Sequence, residues 1–233
     1  MHYEPGKTAH GLAFDPFKSC VVPRPIGWIS TVSKSGVANL APFSQFTNLS
    51  FDPPMVMFSS NQKTTGERKD TVINAEETGE FVWNMATWDL REAVNLSSEE
   101  VAPEVDEFSH AGLERIPSLR MKPARVAASP VHFECRYMQT THLPGNGVMG
   151  SVDVVFGRVE VIHIADEFLL PNGKIDILKI KPIARLGYFD YAPVESLFEM
   201  RIPGSKDMLV GLGGDADRHA DFSKSVRSPT RSS

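Results

Sequence analysis

Apolar and polar residues alternate with the two-residue period of β-strands along most of this chain. Ile26-Gly-Trp-Ile-Ser-Thr-Val-Ser33 reads as a strand, Lys34-Ser-Gly36 as a turn, and Val37-Ala-Asn-Leu-Ala41 as the returning strand of a hairpin. Asp52-Pro-Pro54 bars helix and opens Met55-Val-Met-Phe-Ser59, whose length and residue types suit a buried strand. Glu80-Phe-Val-Trp-Asn-Met85 alternates in the same way. Further strands are predicted at 131–141, 151–164 and 183–186, the second a long alternation of Val, Phe and Ile with polar residues.

Helical signals are few. Asp70-Thr71 can cap a short helix that Gly79 ends. Thr87 can cap a second, running through Leu96 with Leu90, Ala93, Val94 and Leu96 as its apolar stripe. The segment 97–120 is polar and irregular, with a short helix around 106–111, and reads as an excursion from the core. Strands in close succession, with two or three short helices among them, predict an antiparallel barrel or sandwich rather than βαβ units. Residues 1–20 read as an N-terminal extension, 21–201 as one domain, and 202–233, rich in Gly, Asp, Ser and Arg, as a flexible tail.

Composition narrows the classes. A hydrophobic fraction of 41% with fourteen Phe and three Trp belongs to a globular protein. A formal charge of −5 offers no basic face for a phosphate backbone, so nucleic acid is not an expected partner. Nothing has the apolar length of a membrane span or a signal peptide, and a cytoplasmic protein is expected. Cys20 and Cys135 are the only cysteines, there is no HExxH, and no metal site is expected. No GxGxxG follows a strand and opens a helix, which excludes a separate nicotinamide domain; Gly211-Leu-Gly-Gly214 lies in the predicted tail.

Two stretches carry candidate chemistry. The first turn of a helix at Asp70-Thr71 would present free N–H groups and partial positive charge, which suit a phosphate. Lys69 adds charge, Thr71 a hydroxyl, and Ser59-Ser60 with Thr64-Thr65 offer further hydroxyls upstream. An ordinary cap beside a solvated lysine fits the same spacing. In Asn39-Leu-Ala-Pro-Phe-Ser-Gln-Phe46 a strand is expected to break at Pro42, exposing backbone groups that could read the edge of a flat heterocycle. A bulge that bends a barrel strand fits equally.

Pro23-Arg-Pro-Ile-Gly-Trp-Ile-Ser-Thr31, Asn39-Leu-Ala-Pro-Phe-Ser44, Asp52-Pro-Pro54 and Lys69-Asp-Thr71 resemble, in order and spacing, the motifs of the flavin reductase-like, FMN-binding split-barrel family. The nearest subgroup holds flavoredoxins and the reductase components of two-component monooxygenases. Pro182-Ile-Ala-Arg-Leu-Gly187 with Tyr188 extends the resemblance, which covers most of 21–191. It implies a mainly β fold, an antiparallel Greek-key split β-barrel with a few peripheral α-helices, and FMN as cofactor.

Carried over residue by residue, the resemblance implies that Asn39, Leu40, Ala41, Pro42 and Ser44 meet the isoalloxazine and ribityl chain, largely through backbone atoms, with Thr31 on the neighbouring strand. Ser59, Lys69 and Thr71 would meet the phosphate. It also implies a homodimer with flavin sites at or near the interface, and an oxygenase or other redox protein as partner. Trp83, Trp88 and Phe108 suit either that interface or the core. The implied activity is flavin reduction with NAD(P)H as electron donor. A flavoredoxin-like carrier with tightly held FMN and a non-catalytic FMN-binding protein are the alternatives. No catalytic acid or base is nominated, because hydride transfer chiefly needs an open flavin face. His142, in a Gly-containing loop, fits either the substrate side of the flavin or plain surface, while His132 and His163 sit in strand patterns and read as structural.

Overall fold

The computed structural model describes residues 1–200, of which Met1–Glu195 form one unit. The tail predicted at 202–233 lies outside the described residues. In chain order the elements are α1 (Phe17–Cys20), β1 (Arg24–Pro25), β2 (Gly27–Val32), β3 (Ala38–Phe43), β4 (Phe46–Phe51), β5 (Pro54–Asn61) and α2 (Asp70–Thr78). There follow β6 (Glu80–Asn84), α3 (Arg91–Leu96), α4 (Glu107–His110), β7 (Arg115–Ile116), β8 (Arg125–Val126), β9 (Val131–Leu143) and β10 (Val152–Ile164). The last are α5 (Ile177–Ile180), β11 (Ile183–Gly187) and β12 (Asp190–Pro193).

Seven strands make one antiparallel sheet in the order β3-β2-β6-β9-β10-β5-β4. Its two edges, β3 and β4, are separated in sequence only by Ser44 and Gln45. A seven-stranded sheet whose edges are two residues apart must curl until they meet, and the result is a barrel. Across the closure the rings of Phe43 and Phe58 lie 4.9 Å apart. Inward positions of the strands, including Ile29, Phe58, Phe81 and Val155, fill the interior. At roughly 1.5–3 kcal/mol for each large apolar side chain buried, this interior is the main source of stability.

The predicted β2–β3 hairpin forms, with Thr31 opposite Asn39 and Trp28 opposite Pro42. Its alternate residues face outward, where Trp28 and Leu40 join Val94 and Phe108 in a second apolar cluster. The wall is thus buried on both sides. That corrects the expectation for 97–120, which is no excursion: α4 folds back and puts the fully buried Phe108 against β3. The sheet also ties this segment down. The Glu134 carboxylate on β9 accepts the backbone N–H groups of Leu119, Arg120 and Met121 at 2.7–3.1 Å, and His163 approaches it at 2.6 Å.

Three other expectations are corrected. The strand does not break at Pro42: β3 runs through it to Phe43, which an edge strand permits because an outward-facing position needs no N–H for the ladder. The helix expected from Thr87 starts only at Arg91, and Thr87 instead bridges to Pro182. In α2 the cap position is Lys69, with no side-chain cap bond; Asp70 belongs to the first turn and takes the Lys63 ammonium at 2.9 Å. The predicted end holds, with Gly79 at φ 75° returning its N–H to Ala75. α2 packs Val72 and Ala75, both fully buried, into the barrel interior.

Candidate functional site

The end of β2, the edge strand β3 and the N-terminus of α2 converge on one cleft. Asn39, Pro42, Lys69, Thr71 and Glu107 are among its lining residues. Asn39 is the hub: its Oδ1 accepts the hydroxyls of Thr71 at 2.7 Å and Thr31 at 3.1 Å, and Asn74 Nδ2 donates to Thr31 at 3.2 Å. That arrangement leaves the Asn39 Nδ2 donor without a protein acceptor among the described residues, at the cleft wall. The Asp70 and Thr71 N–H groups at the start of α2 have no intrahelical partner and no side-chain cap, so the helix terminus is also open to an acceptor.

β3 contributes a sheet edge. In an antiparallel ladder residues alternate between facing the partner strand and facing away. The Leu40 N–H leaves the ladder and is accepted by Oε2 of Glu107. Alternation then turns Asn39, Ala41 and Phe43 toward β2 and Leu40 and Pro42 away from it. Since Pro42 has no N–H, Leu40 holds the one outward backbone donor between Asn39 and Phe43. Glu107 is buried, and desolvation pushes its carboxyl up to about 7, the Leu40 N–H only partly offsetting this. Cations and carboxylates mix at the rim: Lys69 stands 3.5 Å from Glu100.

Lys69, an open helix terminus and the Asn39 amide form a donor set for an anionic group, and the strand edge alongside leaves room for a flat body. A family described as flavin reductase like domain matches residues 19–179, more than half of the chain. The chain belongs to the flavin reductase-like family.

An uncharacterized protein from Aquifex aeolicus is 40% identical over 167 residues, which are 72% of this chain and 82% of that one. Component B of a nitrilotriacetate monooxygenase from Bacillus cereus superposes with a TM-score of 0.78 at 30% identity, covering 86% of this chain and 98% of that one. A protein with a split-barrel domain from Shewanella frigidimarina gives 0.70 at 20% identity, covering 80% of this chain and 89% of that one, which fixes the fold as a split barrel.

Within this flavin reductase-like chain the predicted residues divide into two groups. Thr31, Asn39, Lys69 and Thr71 are brought together as described, and Ala41 and Pro42 line the same cleft. Leu40 is fully buried and offers only its backbone. Ser44 and Ser59 instead each bond Gln45, at the corner where β3 passes into β4: the Ser59 N–H donates to Gln45 O at 2.9 Å, and Ser44 Oγ donates to Gln45 Oε1 at 3.4 Å. Glu107 was missed by sequence reading. The signal that could have found it is the Asp106 cap immediately before it, which accepts from the N–H groups of Phe108 and Ser109 and fixes where α4 begins.

Of the aromatic residues, Trp83 and Phe108 are buried and Trp88 is 42% exposed, so the first two belong to the core. His142 lies on β9 rather than in a loop and holds the buried Asp153 at 2.9 Å. At the opposite end of β2, an apolar cavity of about 230 Å³ lies among Ile26, Phe46, Trp83, Phe133 and Ile183. It has no cation to meet a phosphate.

Proposed function

We propose that the protein is an FMN-dependent oxidoreductase of the flavin reductase type, using NAD(P)H as donor. The observation that carries the proposal is the convergence of Lys69 and the uncapped α2 terminus with Asn39 on the edge strand β3. In this reading the α2 terminus, with the Thr71 N–H, and Lys69 hold the phosphate of FMN, with Ser59 as a further contact. The ring and ribityl chain follow Asn39, Leu40, Ala41, Pro42 and Ser44, and Thr31 orients Asn39 from below.

Bound there, FMN would supply the redox chemistry, accepting a hydride and passing electrons on. The chain's own work is placement. Lys69 is drawn from Glu100 toward a phosphate by a more concentrated negative charge. Thr31 and Thr71 fix Asn39 Oδ1, so that its Nδ2 points to the ligand with little freedom left to lose. No residue of the cleft needs to act as base toward a hydride donor; orientation over an open face suffices.

The resemblance to component B of a monooxygenase supports reduced flavin delivered to an oxygenase partner. We take the working unit to be a homodimer, and sedimentation at micromolar concentration should give twice the chain mass; a monomer would contradict it. The activity is tested by adding NADH or NADPH anaerobically to the protein with FMN. Loss of the oxidised flavin spectrum with one donor, faster than without protein, is expected. Indifference to both donors with flavin that survives gel filtration would favour an electron carrier instead.

A further inference from the structure

Glu107 reaches the cleft from α4 and is only 7% exposed. Its Oε2 holds the Leu40 N–H, and among the described residues no donor meets its Oε1. A flavin ring offers several carbonyl and ring-nitrogen acceptors along its polar edge. Between Asn39 and Phe43 the strand has one outward N–H, and Glu107 has taken it. A ring acceptor lying along this edge therefore finds its donor in Glu107 rather than in a backbone N–H of β3.

We propose that Glu107 is a binding residue for the flavin ring, acting as a neutral carboxylic acid that donates its O–H to a ring acceptor while Oε2 keeps the Leu40 N–H. The proposal rests on the flavin reading of the cleft. The surrounding charges permit the neutral form. Lys63 is held by Asp70, Lys69 by Glu100 and Arg115 by Asp106 at 2.9 Å, and the His110 ring lies 2.9 Å from Glu99. None of these groups is paired with Glu107, where the Asp70 charge raises the carboxyl and His110 and Lys69 lower it less than burial raises it. Burial then dominates and holds its carboxyl at about 7. A ligand that needs the O–H binds with a proton and loosens as pH rises through that value.

Riboflavin is the informative probe, because it carries the ring without a phosphate monoester that itself ionises near pH 6. Fluorescence titration of the full chain should give a riboflavin Kd about 30-fold weaker at pH 8.5 than at pH 6, the span expected for one linked proton near pH 7. Glu107→Gln keeps an acceptor for Leu40 and a donor for the ring but cannot ionise; its Kd should stay within about twofold over the same range. A flat wild-type profile, or the same slope in both proteins, would overturn the assignment. Should the variant fail to fold, calorimetry of the wild type in buffers of different ionisation heat reads proton uptake directly. Uptake of half to one proton near pH 8 is expected, and none would overturn the proposal. Absence of flavin binding at every pH would instead sink the flavin reading and this assignment with it.

Discussion

At the scale of the residue, a few buried polar groups decide how the barrel is finished. Glu134 is fully buried yet serves four donors. Burial alone would raise its carboxyl, but the backbone N–H groups and His163 outweigh it and hold it below the ordinary value. Because the folded state binds the proton less readily, the stability gained is present at neutral pH and lost as pH falls below about 4. Glu134→Ala should cost about 2–4 kcal/mol in urea unfolding at pH 7, since it strands several donors. A cost under about 0.5 kcal/mol would mean that water replaces the carboxylate.

Asn39, Lys69 and Thr71 were singled out in sequence because they stand in short motifs, and the structure gathers them at one cleft. Glu107 and Glu134 were not singled out. A glutamate within a polar stretch or on a strand reads as solvated, and only the return of residues 97–122 onto the sheet buries these two. That return is made by contacts far apart in sequence, such as Phe108 against Leu40.

At the scale of the element, the strands with strong apolar alternation were legible within a few residues of their ends. β4 was not, because Phe46-Thr-Asn-Leu-Ser-Phe51 has weak strand formers at its centre and only Phe46 is buried. What makes it a strand is its neighbour β5, to which it pairs from Phe46–Phe58 to Phe51–Pro54. The helix α2 was legible at its glycine end and misread at the other. Asp and Thr favour cap positions statistically, but Lys63 claims Asp70 and Asn39 claims Thr71. An uncapped N-terminus is a cost that a bound anion would offset. Gly79 carries the opposite end: with φ at 75°, Gly79→Ala should destabilise the protein by roughly 1 kcal/mol, read as a lower urea midpoint with an unchanged slope. An unchanged midpoint would mean that the left-handed turn relaxes at no cost.

At the scale of the molecule, curling the sheet until β3 and β4 meet leaves β3 with an outward edge, and α2 crosses the barrel end beside it. The family match over residues 19–179 spans both elements. No helix among the described residues is long and apolar enough to cross a membrane. The central claim is that this edge and this helix terminus divide one flavin between them, ring to β3 and phosphate to α2. Comparing FMN and riboflavin affinities in the wild type and in Lys69→Ala tests it most directly. Loss of a charge-assisted phosphate contact of about 1.5–3 kcal/mol predicts FMN binding weakened roughly 10- to 100-fold, with riboflavin affinity changed less than about twofold. Equal weakening of both ligands, or no change in either, would contradict the account.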